Sequence, residues 1–331
     1  MKIMKKISLL LLVFVFAIGM LFAGTEVQAE EPWAEIVGES FDLIVGYDAG
    51  GSHDLSARYL AEGLAELDID IDVSNMPGGD ATEAAYHVVT SDPDSNILFW
   101  GHPPAAVFDP ATQDVGYEYE DFDPVASIGS PTFVLTARTE QGWESYEELV
   151  EYIEENPGQV VVGGQGMNHP MHYAIEMMLP MDELDYNYVN LGGGADVQSN
   201  LLGGHVDVGH LSLSAALPLY EDDELEVFLH TSTETERVDL APDVPHLREV
   251  GTDFSEPHTL TAFAPEGIDP DVREALNAAI QEVVQTEEFQ ANMEDIGFEA
   301  SPYSIEETEE FLGQELVEEV LPEYEEWLEA Q

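Results

Sequence analysis

The chain has 331 residues, of which 69 are Asp or Glu and only eight Lys or Arg, giving a formal net charge of −61, and it contains no cysteine. That balance excludes a nucleic-acid-binding protein, which needs a basic footprint. The missing thiols exclude disulfides, thiolate metal sites and a cysteine nucleophile. High charge often goes with disorder, but 44% hydrophobic and 9% aromatic residues are ample for a core.

Three of the basic residues open the chain (Lys2, Lys5, Lys6), followed by an apolar run from Ile7 to Ala23 and a small-x-small site at Val27-Gln28-Ala29. This pattern reads as a secretory signal peptide over residues 1–29, cleaved after Ala29. The run falls short of the ~20 residues needed to span a bilayer. Without cysteine no lipid anchor can follow, so a periplasmic location is expected. Removal of the leader leaves five arginines against 68 acidic residues in 302 positions. Such self-repulsion destabilises a compact chain in dilute buffer, whereas at ~1 M salt the Debye length is only about 3 Å. Lysine depletion with excess carboxylate therefore reads as adaptation to high salt. The acidity describes the solvent and not the ligand.

Some 300 residues exceed one typical domain, so two lobes are expected. Phe41–Val45 reads as a buried strand, followed by the turn Gly46–Ser52 and a helix from Asp54 with Leu60, Leu64 and Leu67 on one face. A second unit runs from Ile71–Val73 through Pro77-Gly78-Gly79 into a helix near Thr82–Val89, and strand Ile97–Trp100 ends at Gly101-His102. Thr132–Ala137 reads as a strand leaving this lobe. Ser145 and Glu148 read as a capping box for a helix that Asn156-Pro157-Gly158 stops. Strand Val160–Val162 leads through Gly163-Gly164-Gln165-Gly166 into a helix reaching Leu179. Tyr188-Val189, the turn Gly192–Gly194, a helix to Leu202 and strands at Val206–Val208 and Val227–His230 continue the alternation. After Pro242 the chain returns to the first lobe, with strand Leu260–Ala264, helix Asp271–Gln285 and a last helix from Ser304, capped by Glu307 and bent near Pro322. Strand–helix alternation predicts an α/β fold with mostly parallel sheets. The expected lobes are residues 30–131 with 258–331, and residues 132–257.

Two glycine-rich turns, Gly50-Gly51-Ser52 and Gly163–Gly166, each join a buried strand to a helix, one per lobe. Glycine lets backbone approach a ligand, and the orphan amides of the following helix offer an anion site. Neither turn carries the lysine of a phosphate loop or a G-x-G-x-x-G pattern.

Seven segments in order resemble the solute-binding proteins of tripartite tricarboxylate transporters: AGGSHDLSARYLAEGL (49–64), NMPGGD (75–80), DFDPVASIG (121–129), ENPGQVVVGGQG (155–166), LLGGHVDVG (201–209), LAPDVPHLREVG (240–251) and FAPEGIDPDV (263–272). The resemblance covers nearly the whole chain beyond the leader. It implies a type 2 periplasmic-binding-protein fold with the ligand between the lobes. It also implies a small organic acid as ligand (a di- or tricarboxylate, an aromatic acid or an acidic amino acid), handed to membrane subunits of the transporter. By position it places Tyr47, Gly50, Gly51, Ser52, His53 and Asp54 on one wall, with Gly78, Gly79 and Asp80 nearby. Gly166, Met167, Asn168, His169 and His172 form the other wall, which Gly193, Gly194 and Ala195 complete. The chain departs from the family at Tyr47-Asp48, where a small residue or proline is usual, at Asp80 for glycine, and at Gly192, where lysine is frequent. His102 and His169 are additions.

Five histidines lie in or near these loops: His53, His102, His169, His172 and His210. Imidazole can donate to a carboxylate where lysine is absent; packing and capping are the alternative roles. His169 and His172, spaced i, i+3, could share a metal with Asp54 or Asp80, but no metal-binding motif is present and neither metal nor cofactor is expected. Asp54 is placed to N-cap its helix, and Arg58 to pair with local acids. No nucleophile–base pattern is recognisable, so an enzyme is not expected. The alternatives to a transport receptor are a receptor serving a sensor kinase and a metal-binding protein using the cleft histidines.

Overall fold

In a computed structural model, FDLIV forms β1 (Phe41–Val45), buried except at Asp42, as expected of a central strand covered on both faces. The structure describes residues 37–330 apart from 39, 167–168, 182, 192, 232–242, 253–257, 297 and 299. The expected leader lies outside these residues. After β1 come α1 (Ser52–Ala65), the edge strand β2 (Ile71–Asn75), α2 (Thr82–Val89) and β3 (Ile97–Gly101). A π-type turn at Pro104–Phe108 precedes the short α3 (Asp109–Thr112), and β4 (Phe122–Ser127) follows. The second half contains β5 (Phe133–Arg138), α4 (Tyr146–Glu155), β6 (Val161–Gln165), α5 (Pro170–Met178), β7 (Asn187–Leu191), α6 (Gly194–Leu202), β8 (Val208–Ser212), α7 (Leu213–Glu221) and β9 (Leu225–His230). The chain returns through β10 (Thr261–Pro265), α8 (Pro270–Val284) and α9 (Glu287–Asp295). It closes with α10 (Ile305–Glu309), a π-type stretch at Glu310–Val320 and α11 (Leu321–Ala330). Among the described residues no helix is long and apolar enough to cross a membrane.

The strands make two five-stranded sheets of matching design, ordered β2-β1-β3-β10-β4 and β7-β6-β8-β5-β9. In each, four strands run the same way, and one inserted strand runs antiparallel to both its neighbours: β10 between β3 and β4, and β5 between β8 and β9. The sheets are therefore mixed, with four of five strands in each running the same way, as the strand–helix alternation predicts. The inserted strands are those that follow the two passages of the chain between sheets, so they enter from the opposite end.

Helical periodicity is realised in the packing. In α1, Ala57, Leu60 and Leu64 are buried against Leu276, Ile280 and Val283 of α8, each leucine contributing about 1.5–3 kcal/mol of burial. Ser304 forms a reciprocal capping box with Glu307, as the sequence predicts, whereas at α4 only half of the expected box forms: Ser145 accepts from Glu148 N–H, but the Glu148 carboxylate accepts from Glu144 N–H. Strand β4 and helices α7 and α9 are absent from the sequence expectation, and β8 begins at Val208 where the expected strand ended. Pro124 in β4 and Pro218 in α7 mask the local pattern.

One apolar cluster draws on both sheets. Tyr324 of α11 packs edge-on to Phe108 (5.2 Å) and to Tyr173 of α5 (5.5 Å), so the last helix ties the two halves together.

Candidate functional site

The carboxyl ends of the parallel strands, and the loops that leave them, surround a cavity of about 550 Å³ between the two sheets. From the first sheet it is lined by Tyr47, Ser52, His53, Asp80, His102 and His258. From the second come Phe133, Gln165, Gly166, His169, Gly194 and Ser212, with Pro131, Met171, Ile296 and Phe298 filling the rest. Among the described residues no lysine or arginine lines it.

Register explains the first wall. Parallel pairing of Val45 with Trp100 brings the loops after β1 and β3 together, and antiparallel pairing of Thr261 with Gly101 brings in the segment before β10. Tyr47, His53, His102 and His258 consequently form an aromatic cluster. Ring centroids are 4.3 Å apart for Tyr47–His53, 5.2 Å for His53–His102 and 4.9 Å for His102–His258. His258 also meets Phe133 of the second sheet at 5.4 Å.

A hydrogen-bond chain organises this wall. The Tyr47 hydroxyl donates to Asp80 Oδ1 at 3.1 Å. With its single proton so used, it accepts from His102 Nε2, so that nitrogen carries the proton and His102 Nδ1 bears a lone pair. His102 Nδ1 and His53 Nε2 are buried, and among the described residues neither finds a hydrogen-bond partner. Burial pushes the His53 pKa down to about 4 against the pull of Asp80. Burial, with the neighbouring His258 and His53, holds His102 well below the usual histidine range. Both shifts favour the neutral ring.

Across the cavity, His169 N-caps α5: its Nδ1 accepts from Met171 N–H at 3.2 Å. Its Nε2 therefore carries the proton and donates to Asp80 Oδ2, also at 3.2 Å. The hydrogen bond from His169 is the main cause holding the Asp80 carboxyl far below the usual range, against the opposing effect of burial. Asp80 sits in left-handed backbone (φ 55°, ψ 47°), a conformation that Asp tolerates better than most residues.

Helix N-termini converge here. Helices α1 and α6, from opposite sheets, have glycine N-caps (Gly51 and Gly193) without side-chain caps, and their first residues, Ser52 and Gly194, line the cavity. Their orphan amides carry partial positive charge suited to an anion.

Of the residues placed at the site by resemblance, Tyr47, Ser52, His53, Asp80, Gly166, His169 and Gly194 line the cavity. Gly50, Gly51, Gly78, Gly79, Gly193 and Ala195 belong to the same turns without lining it. Met167 and Asn168 lie outside the described residues. His172 sits behind the wall, 2% exposed, stacked on Tyr188 at 3.8 Å and edge-on to Trp327. It does not line the cavity with His169, and neither residue belongs to a group of three candidate metal ligands among the described residues. His210 is buried within β8, stacked on Phe133 at 5.0 Å.

Asp54 is not the N-cap of α1. It is the third helical residue, accepting from Gly50 N–H at 2.8 Å, from Arg58 Nε and Nη2 and from Asn75. The Arg58 hydrogen bonds pull its pKa down to about 2 despite burial. Arg58 thus pairs with a local acid, as expected. His258, Phe133 and Ser212 were missed because no local pattern marks them.

Two mixed sheets that present strand ends to one intervening cavity define a two-lobed solute receptor of the type 2 periplasmic-binding-protein class. The chain belongs to the tripartite tricarboxylate transporter family receptor (TctC) family, whose sequence pattern matches residues 56–320. It is 25% identical over 263 residues to the "UPF0065 protein in gbd 5'region" of Cupriavidus necator, covering 79% of each chain. Its fold is similar to that of a TctC solute-binding protein from Polaromonas (TM-score 0.77, 20% identity, 88% of this chain and 98% of that one). It is also similar to that of MatC from Rhodopseudomonas palustris with bound malate (TM-score 0.66, 23% identity, 87% and 98%).

Proposed function

We propose that this protein captures a small organic acid in the cavity between its sheets, outside the cytoplasmic membrane, and delivers it to the membrane subunits of a tripartite transporter. The observation that carries this reading is the convergence of α1 and α6 from opposite sheets, with uncapped first turns, on one cavity. A carboxylate placed there meets amide donors from both sides, and closure of the lobes buries it; ligand binding then selects the closed form that the membrane subunits recognise. The malate bound by MatC, a protein of the same fold, agrees with an organic acid as ligand.

The Asp80 carboxylate keeps its negative charge, with both oxygens engaged by Tyr47 and His169, so the ligand carboxylate is placed at the helix N-termini rather than beside it. The neutral polar groups Ser52, Gln165 and Ser212 remain to read the rest of the ligand.

The test is a thermal-shift screen of the chain from Glu30 onward in molar NaCl against mono-, di- and tricarboxylates, aromatic acids and acidic amino acids. At ~100 times its dissociation constant a ligand adds about 2.7 kcal/mol, a rise of several degrees in Tm. Absence of a shift with every carboxylate, in the presence and absence of divalent metal, would refute the reading.

A further inference from the structure

We propose that His53, His102 and His258 form a site for a divalent transition-metal ion on the wall of the cavity, with a coordination position left open to the ligand carboxylate. The metal site stands on the geometry of these residues; only its coupling to the carboxylate rests on the receptor reading above.

One ligand nitrogen from each of the three imidazoles lies within 4.8 Å of the other two, and no other such group of three occurs among the described residues. Tetrahedral zinc with bonds of about 2.0–2.1 Å sets its ligands roughly 3.3 Å apart. Modest rotation of the rings closes that difference. Three histidines with one position open is the arrangement of exchangeable zinc sites. Imidazole donors select zinc, cobalt, nickel or copper over magnesium or calcium, which prefer oxygen.

A packed histidine cluster without a ligand should satisfy its buried nitrogens. Here His53 Nε2 and His102 Nδ1 are buried and find no partner among the described residues, although His102 is only 3% exposed. The Asp80–Tyr47–His102 chain supplies what metal ligands characteristically have, an outer partner that fixes the tautomer and leaves the inner nitrogen as a donor. The cation also answers an electrostatic question. Among the described residues that line the cavity there is no lysine or arginine, so a carboxylate entering beside Asp80 meets no fixed positive charge from them. A divalent ion on three neutral imidazoles provides it.

The experiment uses the chain from Glu30 onward, stripped with chelator and desalted into molar NaCl, with Co²⁺ and Zn²⁺ as probes. The expected result is one Co²⁺ per chain, with the intense visible absorption of a four- or five-coordinate nitrogen site, displaced by Zn²⁺ and not by Mg²⁺. His102→Ala and His258→Ala should lose this spectrum, whereas His87→Ala, which removes an exposed histidine, should keep it. Tyr47→Phe should weaken binding ~10–100-fold, as loss of an outer partner does. Absence of a cobalt spectrum, or its persistence in the His102 and His258 variants, would overturn the metal site. Adipate is then titrated with and without Zn²⁺. Tighter adipate binding with Zn²⁺ supports the coupling. Equal binding in both overturns the coupling while upholding the receptor reading. A metal spectrum with no carboxylate bound under any condition leaves the site standing and sinks the receptor reading instead.

Discussion

His169 and Asp80 meet across the cavity at 3.2 Å, one at the start of a helix on the second sheet and the other in a left-handed turn on the first. The Asp80 side chain is 51% exposed and that of His169 22%. Because α5 uses the other nitrogen of His169 as its cap, the contact is a neutral N–H donating to a carboxylate and needs no protonation.

Exposed contacts of this kind contribute about 0–1 kcal/mol, enough to bias an opening equilibrium by a few-fold. His169→Ala should therefore enlarge the ligand-free protein in small-angle scattering while leaving the carboxylate-saturated form unchanged. An identical radius of gyration for the two ligand-free proteins would show that this contact does not hold the cleft.

Gly51→Asp should abolish carboxylate binding without unfolding the chain. Gly51 has φ −77°, and an added Cβ would approach nothing nearer than Asp48 O at 3.5 Å. An aspartate there caps α1 and puts its own carboxylate on the amides offered to the ligand. Unchanged Tm with at least ~100-fold weaker binding by calorimetry is expected, since a charge-assisted anion contact is both removed and replaced by repulsion. Retained affinity would move the site elsewhere.

Gly46→Ala tests the support beneath Asp80. A Cβ at Gly46 would lie 2.2 Å from Ala81 Cβ and 2.7 Å from its Cα, and backbone cannot yield as a flexible side-chain tip can. The expected cost is about 1–3 kcal/mol in urea unfolding, with weakened ligand binding because the turn that carries Asp80 must shift.

Burial raises the Asp109 pKa to about 6. The residue is 5% exposed, and its carboxyl accepts from Gln113. The native state therefore holds the proton that the unfolded chain releases near pH 4, so this group takes stability away as pH rises from about 4 to about 6. Asp109→Asn keeps the Gln113 hydrogen bond and should gain on the order of 2 kcal/mol over the parent across that window, with no further gain above it. Parallel stability–pH curves for the two proteins would contradict this.

Salt should govern the fold as a whole. Shortening the Debye length from about 10 Å at 0.1 M to about 3 Å at 1 M screens most of the repulsion among the acidic side chains. Tm should therefore rise continuously with NaCl. A flat response would remove the high-salt interpretation of the composition.

The parts of this protein legible in the sequence were those set by neighbours along the chain. Strand β1 and helix α1 follow from an apolar run, a glycine turn and leucines at helical spacing; the caps at Ser145 and Ser304 need only three residues to recognise. The family is legible for the same reason, since its glycine turns are short contiguous segments in fixed order. Which side chains meet was decided by strand register and burial. His258 reaches His102 only because β10 pairs antiparallel with β3, across more than 150 residues of sequence. His172 looked equivalent to His169, but its face of α5 turns into the apolar layer beneath Trp327. Asp54 looked like a cap until Arg58 and Asn75 claimed its oxygens. Local propensity and turn chemistry act over a few residues, whereas a binding wall is assembled from whatever the sheet order brings side by side. The sequence by itself therefore determined the kind of receptor this is, and the tertiary structure alone determined which histidines face its cavity.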